Sequence, residues 1–244
     1  MIPLSVRRPA GWLLILSLGW GLPVHAQAEK LLFKRGLDKL AASDFIGADE
    51  DFTMVINLNP RNDAAYFNRG YARIELANYA GAIADFNITL DINPANPEGY
   101  YNRARAKIGL EDYLGALMDL NIAIKGSPKE DRFMQVRAQA KSGLQDYRGA
   151  VSDLNEAIRI SRFKKPQYIF DRAEAYINLR DFERAILDLD WVVRNNPGDP
   201  QAYNARASVK FQGGDIDGAC LDWSKAGELG DINAYTLIRK HCNQ

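Results

Sequence analysis

The sequence predicts an all-α protein assembled by repetition. One observation is a short pattern that recurs every 34 residues: GADEDF at 47–52, GAIADF at 81–86, GALMDL at 115–120 and GAVSDL at 149–154. RAILDL at 184–189 arrives one residue late, and GACLDW at 218–223 returns to the 34-residue step. A period of this length signals stacked supersecondary units, none of which buries its apolar face alone. The other observation is that Pro60, Pro94, Pro128 and Pro197 stand at one place in their units. Proline cannot continue a helix and disfavours helix at the residue before it, so each closes a helix.

Composition sets the frame. The 244 residues carry 31 basic and 31 acidic side chains, and nearly half are apolar. That is the balance of an ordinary globular protein, with no charge excess pointing to nucleic acid or an anionic membrane.

The first element, residues 1–26, reads as a secretory leader. Arg7 and Arg8 precede an apolar stretch from Ala10 to Leu22, and the small residues of PVHAQA allow cleavage after Ala26 or Ala28. Thirteen residues fall short of the roughly 20 that a spanning helix needs, so no stable membrane insertion is expected once the leader is removed.

Six units come next, at 29–62, 63–96, 97–130, 131–165, 166–199 and 200–231. The extra residue falls in SRFKKP, Ser161–Pro166, a loop. Position 4 of each unit is large (Leu32, Tyr66, Tyr100, Met134, Ile169, Tyr203) and position 8 is small (Gly36, Gly70, Ala104, Ala138, Ala173, Ala207). Position 17 is aromatic except at Ile216, and position 20 is alanine throughout (Ala48, Ala82, Ala116, Ala150, Ala185, Ala219). The pattern resembles the tetratricopeptide repeat, a 34-residue helix–turn–helix, over nearly all of the chain after the leader. The resemblance implies six hairpins wound into a right-handed superhelical solenoid, with positions 8 and 20 facing each other where the helices cross closely.

Arginine holds position 7 in every unit (Arg35, Arg69, Arg103, Arg137, Arg172, Arg206), and aspartate holds position 23 (Asp51, Asp85, Asp119, Asp153, Asp188, Asp222). In an antiparallel hairpin these lie within two residues of one level, roughly 3 Å of helix rise. A ladder of bidentate Arg–Asp pairs is therefore expected, within units or shared with a neighbour. A pair present in every unit serves the repeat, not catalysis.

The ends need polar caps. Asp49 puts a charge at position 21 of unit one, where units two to five carry Ile83, Leu117, Val151 and Ile186. Residues 232–244 read as a capping helix with an apolar stripe of Ala234, Leu237 and Ile238. Cys220 and Cys242 fall at nearly one level of this end. Export would let them form a disulfide, the alternative being a buried Cys220 and a free Cys242.

No metal-ligand spacing, phosphate-binding glycine loop or nucleophile with an adjacent base is present, so no enzyme, cofactor or metal is expected. The family resemblance implies a concave groove lined by positions 2, 5, 6, 9, 12 and 13 of the first helices. Here those positions supply Phe67, Asn68, Tyr71, Tyr101, Asn102, Arg105, Arg132, Gln139, Phe170 and Asn204 as candidate partner contacts. Asparagine can hold a backbone amide with one donor and one acceptor, and aromatics with arginine are typical interface anchors. The carboxylate clamp of chaperone-binding relatives is incomplete in either frame: Phe33, Leu37, Asn68, Glu98 and Asn102, or Phe67, Tyr71, Asn102, Arg132 and Val136. The expectation is an exported scaffold or adaptor binding a protein or peptide in the periplasm, envelope, outside the cell or in a thylakoid lumen. The alternatives are an assembly factor using its convex face and a cell-wall glycan-binding module. Partner identity and oligomeric state are left open.

Overall fold

The computed structural model describes residues 21–242, which are helical apart from short connections. Its helices are α1 (Gly21–Ala41), α2 (Phe45–Leu58), α3 (Asp63–Glu75), α4 (Tyr79–Ile92), α5 (Pro97–Gly109), α6 (Tyr113–Gly126), α7 (Asp131–Gly143), α8 (Tyr147–Ile160), α9 (Pro166–Asn178), α10 (Phe182–Asn195), α11 (Pro200–Gln212), α12 (Ile216–Glu228) and α13 (Ile232–His241). Successive pairs form hairpins, each packed on the next, and α13 lies against α12. Most of the expected leader lies outside the described residues; its expected cleavage points fall in α1.

The turn inside each hairpin obeys one local scheme. Ser43, Ala77, Glu111, Gln145 and Arg180 at position 15 adopt left-handed backbone, φ 57–62°, and Gly214 takes that place in unit six. The next residue donates its N–H to the carbonyl of position 11, as Asn78 does to Arg73 at 2.8 Å, which satisfies the end of the first helix. The same residue caps the second helix: the side chains of Asp44, Asn78, Asp112, Asp146, Asp181 and Asp215 accept the N–H three residues on, at 2.9–3.2 Å. A Cβ at Gly47, Gly81, Gly115, Gly149 or Gly218 would come within 2.0–2.7 Å of that capping side chain.

Core volumes are matched within units. The nearest atoms to a Cβ on Gly36 would be the Phe52 ring at 2.8 Å, and on Gly70 the Phe86 ring at 2.9 Å. So position 8 faces position 24 more closely than the expected alanine at position 20. Where position 24 shrinks to Leu120, Leu154 or Leu189, position 8 grows to alanine, and all six side chains are buried; unit six departs from this match, with Ala207 and Trp223 in one cluster.

The charged ladder is bidentate in every unit. Nε and Nη2 of Arg35, Arg69, Arg103, Arg137, Arg172 and Arg206 donate to Asp51, Asp85, Asp119, Asp153, Asp188 and Asp222 at 2.5–3.0 Å. The aspartates are buried. Two further partners make this a network. Position 11 supplies a second cation to the same carboxylate: Lys39, Arg73, Lys107, Lys141 and Lys210, at 2.7–3.1 Å. The third arginine nitrogen, Nη1, reaches back to position 25 of the preceding unit: Thr53, Asn87, Asn121, Asn155 and Asp190, at 2.7–3.0 Å. From unit two onward, each arginine thus closes its own hairpin and ties it to its neighbour.

Asp49 differs from its expected part as an end cap. It accepts from Nε of Arg73 at 2.6 Å, so it bridges units one and two. At the other end, Ala234 is buried, and Leu237 and Ile238 pack with it against Ala207, Ala219 and Trp223. Cys220 and Cys242 are joined, with their Cα atoms 5.9 Å apart, which pins α13 to α12.

Candidate functional site

First helices of neighbouring units approach one another from α1 to α9, so the stack curves with these helices inside. The inner face of α3, α5 and α7 opens as a cavity of about 880 Å³, lined by Phe67, Tyr71, Ile74, Tyr79, Glu98, Tyr101, Asn102, Arg105, Ile108, Gly109, Arg132, Gln135, Val136 and Gln139. Its floor depends on small residues at position 13. The Tyr79 ring lies where a Cβ on Gly109 would be, 2.6 Å away, and Tyr113 does the same at Gly143.

Seven of the ten candidate contacts meet in this cavity: Phe67, Tyr71, Tyr101, Asn102, Arg105, Arg132 and Gln139. Tyr101 is at its centre and largely buried, its ring stacked on Phe133 with centroids 4.8 Å apart. Burial pushes its phenol pKa up. The Arg132 guanidinium lies 5.0 Å from the Tyr101 centroid; Arg105 sits 5.9 Å from Tyr71 and 6.0 Å from Tyr101. Both arginines are held by carboxylates. Arg105 donates to Glu75 at 3.1 Å, and Arg132 to Glu98 and to Glu130, the latter at 3.3 Å. This half of the groove is aromatic and charge-balanced.

Three candidates are placed otherwise. Asn68 donates to the Ala64 carbonyl one turn back, at 2.7 Å. Phe170 is half-buried and packs against the core cluster that holds Ile169, Val192, Val193 and Ala202. Asn204 donates to Asp231, the cap of α13, at 2.8 Å and accepts from Trp223 Nε1 at 3.1 Å, so it seats the capping helix. Asn102 lines the cavity but is buried and spent: it donates to the Glu98 carbonyl at 3.0 Å and accepts from Arg105 at 3.1 Å. Its work is to aim Arg105. Tyr79, on a second helix, is a cavity residue absent from the sequence-based candidates; its signal is an aromatic at position 17 opposite a glycine at position 13 of the next unit.

Gln139 also lines a second cavity of about 360 Å³ with Ser142, Asp171, Glu174, Ala175, Ile177 and Asn178. Burial pushes the Asp171 carboxyl up, opposed by amide donors from Gln135 at 2.7 Å and Gln167 at 2.6 Å. Burial and the Asp171 charge raise Glu174. The groove thus turns acidic toward unit five. Among the described residues, no cluster of three or more His, Cys, Asp or Glu is placed to hold a metal, and no helix is long and apolar enough to cross a membrane.

Comparison with solved structures supports the fold. The chain superposes on the Pseudomonas aeruginosa pilF protein with a TM-score of 0.73 at 14% identity, over 89% of this chain and 99% of that one. A tetratricopeptide repeat protein from Parabacteroides merdae gives 0.66 at 18%, over 89% and 100%. YrrB, described as a TPR protein with an unusual peptide-binding site, gives 0.62 at 17%, over 79% and 100%. No curated protein matches the sequence. The family model described as tetratricopeptide repeat matches residues 33–97 and 170–226, half of the chain. With that match on six such hairpins, the chain belongs to the tetratricopeptide repeat family.

Proposed function

We propose that this protein is an exported scaffold or adaptor that holds an extended segment of a partner protein in the groove over α3, α5 and α7. The observation that carries the reading is the convergence of Phe67, Tyr71, Tyr101, Arg105, Arg132 and Gln139 on one cavity of about 880 Å³. The arginines are already fixed by Glu75 and Glu98 beside the tyrosine faces, so little side-chain entropy is lost on binding. Aromatic rings offer stacking area, and the free edges of the guanidinium groups and Gln139 suit backbone carbonyls. The peptide-binding site named for YrrB is consistent with this use of the fold. Export rests on the leader at residues 1–26, with the periplasm or envelope as the compartment.

Affinity isolation from the native compartment tests the reading. The wild-type protein should retain a partner that Tyr71→Ser loses, while Ser152→Ala, on α8, retains it. Equal retention by Tyr71→Ser and the wild type would contradict the reading.

A further inference from the structure

On the outer face of the array, positions 18, 22 and 26 of the second helices stand one above another at successive turns. In units one to three these positions hold Ile46, Glu50 and Met54, then Ala80, Ala84 and Ile88, then Leu114, Met118 and Ile122. All but Glu50 are apolar. Leu114, Met118 and Ile122 are 64%, 70% and 47% exposed, and Ile46 and Met54 are 64% and 46% exposed. Ala80 and Ala84 are exposed as well, and being short they leave a depression between the taller side chains of α2 and α6. The pattern stops at unit four, where the same positions are Arg148, Ser152 and Glu156. Apolar side chains gathered this way mark an interaction surface, whereas scattered ones do not. Ile88 is half-buried against the core of units one and two; the others stand outside the packing of the hairpins.

Charge around the patch selects the occupant. Its rim carries Asp44, Glu50, Asp91, Glu111 and Asp112, all exposed, against two cations, Lys125 and, at the border with unit four, Arg148. The ion pairs of units one to three use other carboxylates: Asp49, Asp51, Asp85, Asp119, Glu75 and Glu98. A second copy docked patch to patch would bring two acidic rims together. It would also need about 800 Å² from each partner, more than eight side chains, two of them alanine, supply. An anionic lipid surface would be repelled by the same rim.

We propose that the outer face of units one to three is a docking site for a cationic amphipathic helix of a partner protein, separate from the groove. The helix lies over α4, with an apolar stripe against Ile46, Met54, Leu114, Met118 and Ile122. Lysines or arginines on its flanks meet Glu50, Asp91 and Asp112. The apolar row on α6 covers about 12 Å of helix, so two to three turns of the partner engage it.

The probe is a synthetic amphipathic helix of leucine and lysine, dye-labelled, with a counterpart that has glutamate for lysine. Fluorescence anisotropy with the purified protein should show the lysine peptide binding, and the glutamate peptide at least about tenfold more weakly. Leu114→Asn and Met118→Asn, each a change at an exposed site that leaves the charge as it is, should each weaken the lysine peptide by about tenfold. Tyr71→Ala, in the groove, should leave it unchanged, so failure here is distinguishable from failure of the groove reading. Failure of both peptides to bind, or binding untouched by Leu114→Asn and Met118→Asn, would overturn the proposal. So would self-association in sedimentation, or flotation with phosphatidylglycerol vesicles, that Met118→Asn abolishes, because the patch would then serve a second copy or a membrane.

Discussion

In unit three, Asp119 accepts from Arg103 at 2.9 and 2.6 Å and from Lys107 at 2.8 Å. In unit five, Asp188 accepts from Arg172 at 2.8 and 2.7 Å, and position 11, where the second cation belongs, is Tyr176. Position 19 changes with it. Lys107 also donates to the Gly115 carbonyl at 3.3 Å, while unit five has Arg184 in place of that glycine, its guanidinium 4.6 Å from the Tyr176 centroid. The cation has moved from the first helix to the second, where it covers a ring and pairs with the capping Asp181. The contrast teaches that the repeat specifies a network of positions 7, 11, 19, 23 and 25, and that a change at one member is answered at another.

The largest effect should come from removing the shared carboxylate. Asp119→Ala strands two cations at a half-buried site and should cost about 3–5 kcal/mol in urea denaturation. Asp188→Ala strands one and should cost roughly 1.5–3 kcal/mol. Equal losses would break the comparison. A smaller effect sharpens it. Tyr176→Lys alone deprives Arg184 of its ring. Adding Arg184→Gly restores the arrangement of unit three, so the pair should be more stable than the sum of the singles by about 0.5–1 kcal/mol in a double-mutant cycle.

The smallest effect concerns the groove faces of the same two units. Glu98 and Arg105 of unit three each hold an ion pair, with Arg132 and Glu75 respectively, whereas Asp171 and Glu174 of unit five are acids whose pKa values burial raises. A raised carboxyl means the folded state binds protons more readily than the unfolded chain. The stability it lends is full below the ordinary carboxylate pKa and lost as pH rises through the raised value. Asp171→Asn should therefore raise the thermal midpoint slightly at neutral pH and flatten its rise on mild acidification. Asp51 has the opposite sign: the hydrogen bonds from Arg35 hold its carboxyl below the usual range, so its contribution is present at neutral pH and lost as pH falls through that lowered value.

The hairpins and the Arg–Asp pairs were legible because they repeat, and repetition separates a structural residue from a chance one. The cation at position 11 and the polar residues at position 25 recur almost as regularly, yet sequence alone did not join them to the pair. An index within one unit does not show which neighbour a third donor meets. Groove residues were legible only where both neighbours are ordinary units, as for Tyr71 and Tyr101. Asn204 lies outside the cavity because unit six is succeeded by the capping helix, whose Asp231 takes its amide. Phe170 lies outside the cavity because it packs, half-buried, against the core cluster of Ile169, Val192, Val193 and Ala202. The outer patch was missed because convex positions have no consensus to depart from.

The most direct test of the central claim is photo-crosslinking in the native compartment, with a photoreactive residue in place of Tyr71, Gln139 or, as an outward control, Ser152. Positions 71 and 139 should capture the same partner and position 152 should not. Capture from Ser152 alone, with nothing joined to positions 71 and 139, would contradict the claim that the inner groove holds the partner.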